Sequence, residues 1–179
     1  MLKITPGSAC TRVDPHNLNQ VAYTQSNDIH LFDKRSAKTD SQVFLAHEDN
    51  CLSLAFNPNK LHTLATCGAD SMTRFWDLRK TNSCLLQFED LSHWTTCLAY
   101  NNFHDQLLLT GGTSTFAHLY RAQSASSMLS QQADLETTFN MSSFDLTSER
   151  SFKSKGENGV DKMIVRVELE DSVVAVDWS

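Results

Sequence analysis

A chain of 179 residues is long enough to bury one sizeable core. Its formal charge of −6 and pI near 5.6, with no basic stripe interleaved with aromatics, argue against a nucleic-acid partner. No apolar run approaches the ~20 residues that cross a bilayer. Met1-Leu2-Lys3 opens no apolar signal core. No direct membrane insertion is expected, and a cytoplasmic location is the default.

Taken in chain order, Met1 to Ser8 carries no strand pattern. Gln20 to Thr24 reads as a strand, Ser26-Asn27-Asp28 as a turn, Ile29 to Asp33 as the next strand and Ser41 to Leu45 as an outer one. His47-Glu48-Asp49-Asn50 leads into Cys51 to Phe56, where two-residue alternation places Leu52, Leu54 and Phe56 on one face. Asn57-Pro58-Asn59 is a turn. Leu64 to Cys67, Met72 to Asp77 and Ser83 to Phe88 are the next strands. Thr95 to Tyr100 repeats Cys51 to Phe56, and Leu107 to Thr110 follows. Gly111-Gly112-Thr113-Ser114 reads as a hairpin turn before Phe116 to Tyr120.

From Ala122 to Lys162 the chain is polar, with nine serines and no sustained alternation. It reads as a disordered insertion. Met163 to Leu169 resumes the strand pattern, and Asp171 to Trp178 opens a further repeat.

Phe32-Asp33, Trp76-Asp77 and Tyr120-Arg121 end on residues 33, 77 and 121, a constant step of 44. A period of ~40–45 residues with a terminal Trp-Asp is the signature of a β-propeller of WD repeats. The expected fold is therefore all-β: a partial WD40 propeller of about three and a half blades, where closed rings have ~4–8. The repeats run over approximately 9–45, 46–88 and 90–169, with an incomplete fourth over 170–179 and the insertion at 122–162. So few blades lead us to expect a fragment, or part of a ring completed elsewhere.

The five cysteines form no C-x-x-C pair, and the seven histidines form no H-E-x-x-H array. No metal, redox centre or cofactor is expected. Cys51, Cys67 and Cys97 fall in strands, where a thiol behaves as a small buried hydrophobe. Gly111-Gly112-Thr113 lacks the G-K-[ST] of a phosphate loop, and Asn140-Met141-Ser142 is a chance sequon.

His47, Thr66, Asp70 and Trp76 stand at the spacing of the structural WD-repeat tetrad. An aspartate in the turn holds an imidazole, which links to a hydroxyl and an indole N–H. A His–Asp pair also orients catalytic imidazoles, but no nucleophile accompanies this one. No catalytic residue is assigned. The other repeats lose the set: Leu91 and Leu169 replace His47, Ser114 replaces Asp70 and Tyr120 replaces Trp76. Phe32-Asp33-Lys34-Arg35 and Trp76-Asp77-Leu78-Arg79 form W/F-D-x-R pairs. The plain reading of Asp33, Arg35, Asp77 and Arg79 is a local ion pair at each strand end. The other reading resembles the motif that docks some propellers onto the adaptor of a cullin-type ubiquitin ligase.

Phe56-Asn57-Pro58-Asn59-Lys60, Ala65 to Asp70, Phe75-Trp76-Asp77, Ser92-His93-Trp94, His104 to Gly111 and Asp171 to Ser179 occur in this order. Over Val21 to Ser179 the chain resembles the propeller family that interacts with the endosome-associated recycling (EARP) and Golgi-associated retrograde (GARP) tethering complexes. Asp105 to Gly111 is its most specific run. The resemblance implies a seven-bladed cytosolic adaptor without enzymatic activity, peripheral at endosomes and the trans-Golgi network. Its implied partner is a multisubunit vesicle tether. Leu169 departs from the histidine expected there, and no tether-contacting residue is assigned.

Overall fold

The computed structural model describes residues 10–36, 41–89, 93–127, 161–169 and 171–178. The described residues form three antiparallel sheets of four strands each. The first holds β1 (Thr11–Val13), β2 (Gln20–Gln25), β3 (Asp28–Asp33) and β4 (Gln42–Leu45). The second holds β5 (Cys51–Phe56), β6 (Thr63–Gly68), β7 (Met72–Asp77) and β8 (Leu86–Glu89). The third holds β9 (Thr95–Tyr100), β10 (Leu107–Gly112), β11 (Phe116–Arg121) and β12 (Lys162–Glu168). Strands pair in chain order within each sheet, and β1, β5 and β9 lie side by side along the inner edge. The chain is thus an all-β partial propeller with three blades among its described residues.

Alternation explains why the blades stack. Both faces of the second sheet are covered, so all six residues of β6 are buried. On one face Leu54, Leu64 and Trp76 pack against Ile29, Leu31 and Phe44 of the first sheet. The Phe44 and Trp76 rings lie 5.1 Å apart. On the other face Phe75 and Phe88 meet Leu98, Tyr100, Leu108 and Tyr120 of the third sheet. Phe88 stacks on Tyr120 at 4.5 Å, and Phe75 meets Tyr100 edge-on at 6.3 Å. Burying one such aromatic stabilises the fold by about 1.5–3 kcal/mol.

The hairpins define two ends. The β1–β2, β5–β6 and β9–β10 loops emerge at one end, here the lower, with the β3–β4, β7–β8 and β11–β12 connections. The β2–β3, β6–β7 and β10–β11 turns and the crossings between sheets emerge at the upper end. Ser26 and Ser71 close the first two upper turns with φ of 52° and 61°. At the lower end Asp14, Asn57 and Asn101 each begin a loop as an Asx turn. Their side-chain oxygens accept the amides of His16, Asn59 and Phe103 at 2.8, 2.8 and 2.9 Å.

Several expectations need correction. β1 carries no strand signal in the sequence, because it has three residues and two are exposed. A bulge between Cys51 and Ser53 breaks the expected alternation, so Cys51 is buried and Leu52 only half-buried. Gly111 and Gly112 belong to β10, where another bulge falls between them, and the turn is Thr113 to Thr115. A Cβ on Gly112 would overlap the Trp94 carbonyl, and one on Gly111 would overlap Val173. Pairing of the fourth strand of the second sheet begins at Leu86, not Ser83. Residues 171–178 are in no sheet among the described residues. They are held at β9 and β10 by Val173 N–H to the Gly112 carbonyl at 2.9 Å and Trp178 Nε1–H to the Ala99 carbonyl at 3.1 Å. Cys97 is half-buried, whereas Cys51 and Cys67 are buried as expected. Burial pushes the thiol pKa of all three upward.

Candidate functional site

In the second blade the upper turn and the crossing from the first blade bring four separated residues together. His47 Nδ1 lies 2.9 Å from Asp70 Oδ1, and Nε2 lies 2.8 Å from Thr66 Oγ1. Trp76 Nε1–H donates to the same Thr66 oxygen at 3.0 Å. The donor inventory sets the directions. The indole can only donate, so Thr66 accepts from it and donates its own proton to Nε2. Nδ1–H then donates to the carboxylate of Asp70. Gly68 makes room, because a Cβ there would come within 2.9 Å of His47 Nδ1.

Asp70 also accepts the amides of Glu48 and Met72, both at 3.2 Å. Burial disfavours its charge, but the His47 hydrogen bond, the Glu48 amide and Arg74 together hold its carboxyl below the usual range. Arg74 is a member that sequence reasoning missed. Its Nη1 donates to the Ala46 carbonyl at 2.6 Å and lies 3.1 Å from Asp70 Oδ2. Its signal was an arginine between the apolar-patterned Thr73 and Phe75, on a strand buried on both sides.

The other blades do not reproduce this network. Thr110 takes the place of Thr66 in the third blade and is fully buried. Its hydroxyl has no hydrogen-bond partner among the described residues. Tyr120 replaces Trp76 and packs on Phe88. In the first blade Phe32 takes that place by the same 44-residue step, and Tyr23 of the neighbouring strand stacks on His30 at 4.8 Å. Leu91 lies outside the described residues, as do the first nine residues and residues 128–160, the body of the insertion.

The two Asp-x-Arg pairs sit at the lower end and match atom for atom. Arg35 Nη2 donates to Asp33 Oδ2 at 2.7 Å, and Arg79 Nη2 donates to Asp77 Oδ2 at 2.6 Å. Each Nε bonds the other oxygen, at 3.1 and 2.9 Å. The arginine hydrogen bonds lower both carboxyls to a pKa of about 2. Both guanidinium groups remain largely exposed.

The described ends of the insertion, residues 122–127 and 161–162, pack on the third blade. A single 3₁₀ turn, Gln123–Ala125, follows β11, and Ala122, Ala125 and Ser126 are buried. Asp105 of the β9–β10 loop accepts Ser127 N–H at 2.7 Å and Ser127 Oγ–H at 3.1 Å. Asp161, at the far end of the insertion, accepts Ser124 N–H at 3.0 Å. Among the described residues, no group of histidine, cysteine and acidic side chains could hold a metal ion.

Three stacked four-stranded blades, the 44-residue step and the His47 network define a WD-repeat β-propeller, a class built for protein binding. Residues 7–120 match the EIPR1 beta-propeller family, and the chain belongs to that family. It is 37% identical over 99% of its length to the human EARP and GARP complex-interacting protein 1, covering 44% of that protein. It is 34% identical over 92% of its length to EARP-interacting protein 1 of Caenorhabditis elegans, covering 43% of it. A zebrafish DDB1- and CUL4-associated factor 10 is 33% identical over 49% of this chain and 17% of its own length. The chain thus spans a little under half the length of its tether-interacting relatives. No described helix is long and apolar enough to cross a membrane.

Proposed function

We propose that this chain is part of a non-enzymatic WD-repeat scaffold that binds EARP- and GARP-like vesicle-tethering complexes. It would act in endosomal recycling and in retrograde transport from endosomes to the trans-Golgi network. The scaffold is cytoplasmic and peripheral at those membranes, with protein partners and no nucleic acid. The observation that carries this reading is the similarity, over nearly the whole chain, to relatives named for interacting with those complexes. His47, Thr66, Asp70 and Trp76 act structurally: they satisfy buried polar groups and hold the blade rigid. They carry out no chemistry.

A second reading is a substrate receptor of a cullin-type ubiquitin ligase. It is favoured by the two Asp-x-Arg pairs at one end and by the similarity to a protein named as DDB1- and CUL4-associated. Both forks are closed on their own aspartates, which supports the plain reading of a strand-end ion pair. Affinity capture of the full-length gene product from cells, followed by mass spectrometry, tests the choice. Tether subunits are the expected catch. Recovery of a cullin and its adaptor without tethers would move the protein to the second class. Replacing Arg35 and Arg79 with alanine should then abolish that capture, whereas tether capture should survive the same change.

A further inference from the structure

The two ends of the blades carry opposite charge. At the upper end Glu48, Asp49, Glu89, Glu168 and Asp171 are exposed, against the guanidinium of Arg166 on β12, which lies 3.5 Å over the Phe116 ring; the described upper loops hold no lysine or arginine. At the lower end the acidic groups are engaged locally. Asp33 and Asp77 are forked by arginine, Asp14, Asp105 and Asp161 are buried with amide partners, and Asp177, exposed beside the end of β9, accepts Trp178 N–H at 2.8 Å. Lys34, Lys60 and Lys80 therefore set the local field there, although the whole chain is acidic.

The same end exposes large apolar side chains. Leu18 is 70% exposed, Leu61 57% and Phe103 87%. They sit on the β1–β2, β5–β6 and β9–β10 loops, which are tied side by side. His16 Nε2 lies 3.1 Å from the Asn57 carbonyl, and Asn59 Nδ2–H donates to the Phe103 carbonyl at 3.3 Å. Lys34 Nζ donates to the Leu18 carbonyl at 2.7 Å, which sets its charge beside that leucine. These loops cap the ends of the sheets. They are not blade flanks, so stacking of further blades would leave them uncovered. Asx turns hold their backbones, and little ordering cost remains for a ligand.

We infer that the lower end, through Leu18, Leu61, Phe103, Lys34, Lys60 and Lys80, docks an acidic segment of a protein partner that carries interspersed apolar side chains. Charge complementarity selects the occupant. Three lysines act over a Debye length of ~8 Å, enough to favour a short acidic segment. This inference rests on the tether-binding reading and names the surface that serves it.

The test uses the full-length gene product in cells. One variant combines Lys60→Glu, Lys80→Glu and Phe103→Ser, and a control combines Glu48→Lys and Asp49→Lys at the upper end. We expect recovery of tether subunits to fall about tenfold or more with the first and to hold with the control. A Lys60→Arg, Lys80→Arg variant should bind as wild type, and equal thermal unfolding of all variants separates binding from folding. Wild-type capture of tethers with undiminished capture by the lower-end variant would overturn the inference and leave the tether reading intact. Absence of tethers from the wild-type catch would remove both. Loss of flotation with phosphatidylserine vesicles, with tether capture intact, would assign the surface to a membrane instead. Loss of concentration-dependent self-association alone would assign it to the acidic end of a second copy. Either result overturns the proposal.

Discussion

The second and third blades share a strand pattern and a 44-residue step, yet they are held together by different physics. The second carries a connected polar network from Trp76 through Thr66 and His47 to Asp70 and Arg74. The third has a threonine at the equivalent place and none of its partners. It relies on Tyr120 stacked on Phe88, and on glycines that let the backbone of Trp94 and the side chain of Val173 approach closely. A buried polar network is specific but fragile, because removing one member leaves the others unsatisfied. An apolar blade has no such weak link, and its constraint is space.

The sharpest way to break this comparison is a matched pair of substitutions. Thr66→Val strands the Trp76 N–H and a His47 nitrogen, and should cost about 2–4 kcal/mol. Thr110→Val removes a hydroxyl that bonds nothing among the described residues, and should be neutral or stabilising by up to about 1 kcal/mol. Urea unfolding of this chain followed by tryptophan fluorescence measures both. Equal costs would show that the network adds nothing beyond packing.

A smaller effect is expected from the glycines. Gly112→Ala forces a methyl group against the Trp94 backbone and should destabilise the third blade by about 1–3 kcal/mol. Gly68→Ala presses on His47 Nδ1 and Asp70 Oδ1, and should cost a similar amount in the second. The two changes differ in their pH response. With Gly68→Ala the weakened His47–Asp70 contact should flatten the acid limb of the stability curve, whereas Gly112→Ala should shift it without changing its shape.

The acid limb itself sharpens the contrast. Asp70, Asp33 and Asp77 have folded-state pKa values below the unfolded value near 3.9. Their contribution is complete above that value and disappears as pH falls through the folded values, toward pH 2 for Asp33 and Asp77. Asp70→Asn should therefore lose stability at neutral pH and narrow its gap to wild type below pH ~4. Melting temperatures between pH 7 and 2 read this directly; a gap constant with pH would refute it. The smallest effect belongs to Arg35→Ala with Arg79→Ala. These forks are exposed and screened by solvent, so the double change should lower the melting temperature least of all, and less still in high salt.

Much of this was legible before any coordinates. The edges of β7 and β9 follow directly from alternation and turn residues, and the histidine network was readable because His47, Thr66 and Asp70 stand at the offsets from Trp76 that the WD-repeat pattern sets. What escaped did so for identifiable reasons. A three-residue β1 offers no period to detect. Gly-Gly normally marks a turn, yet here it marks a strand pressed against neighbouring chain. Arg74 was left unassigned, because the number of buried faces on β7 depends on sheets far away in sequence. The charge division between the ends was invisible in a net −6, since it appears only once alternate loops are sorted by topology.

Arg121 and Lys162 are cross-strand partners, although 40 residues separate them. Asp105 and Asp161 tie Ser127 and Ser124 just inside that junction. The blade therefore behaves as a socket with a clamped neck. Doubling the length of the segment that leaves it would cost only about 0.6 kcal/mol in closure entropy. The strand register across the junction is thus fixed by residues on either side of the segment, and not by the segment's length.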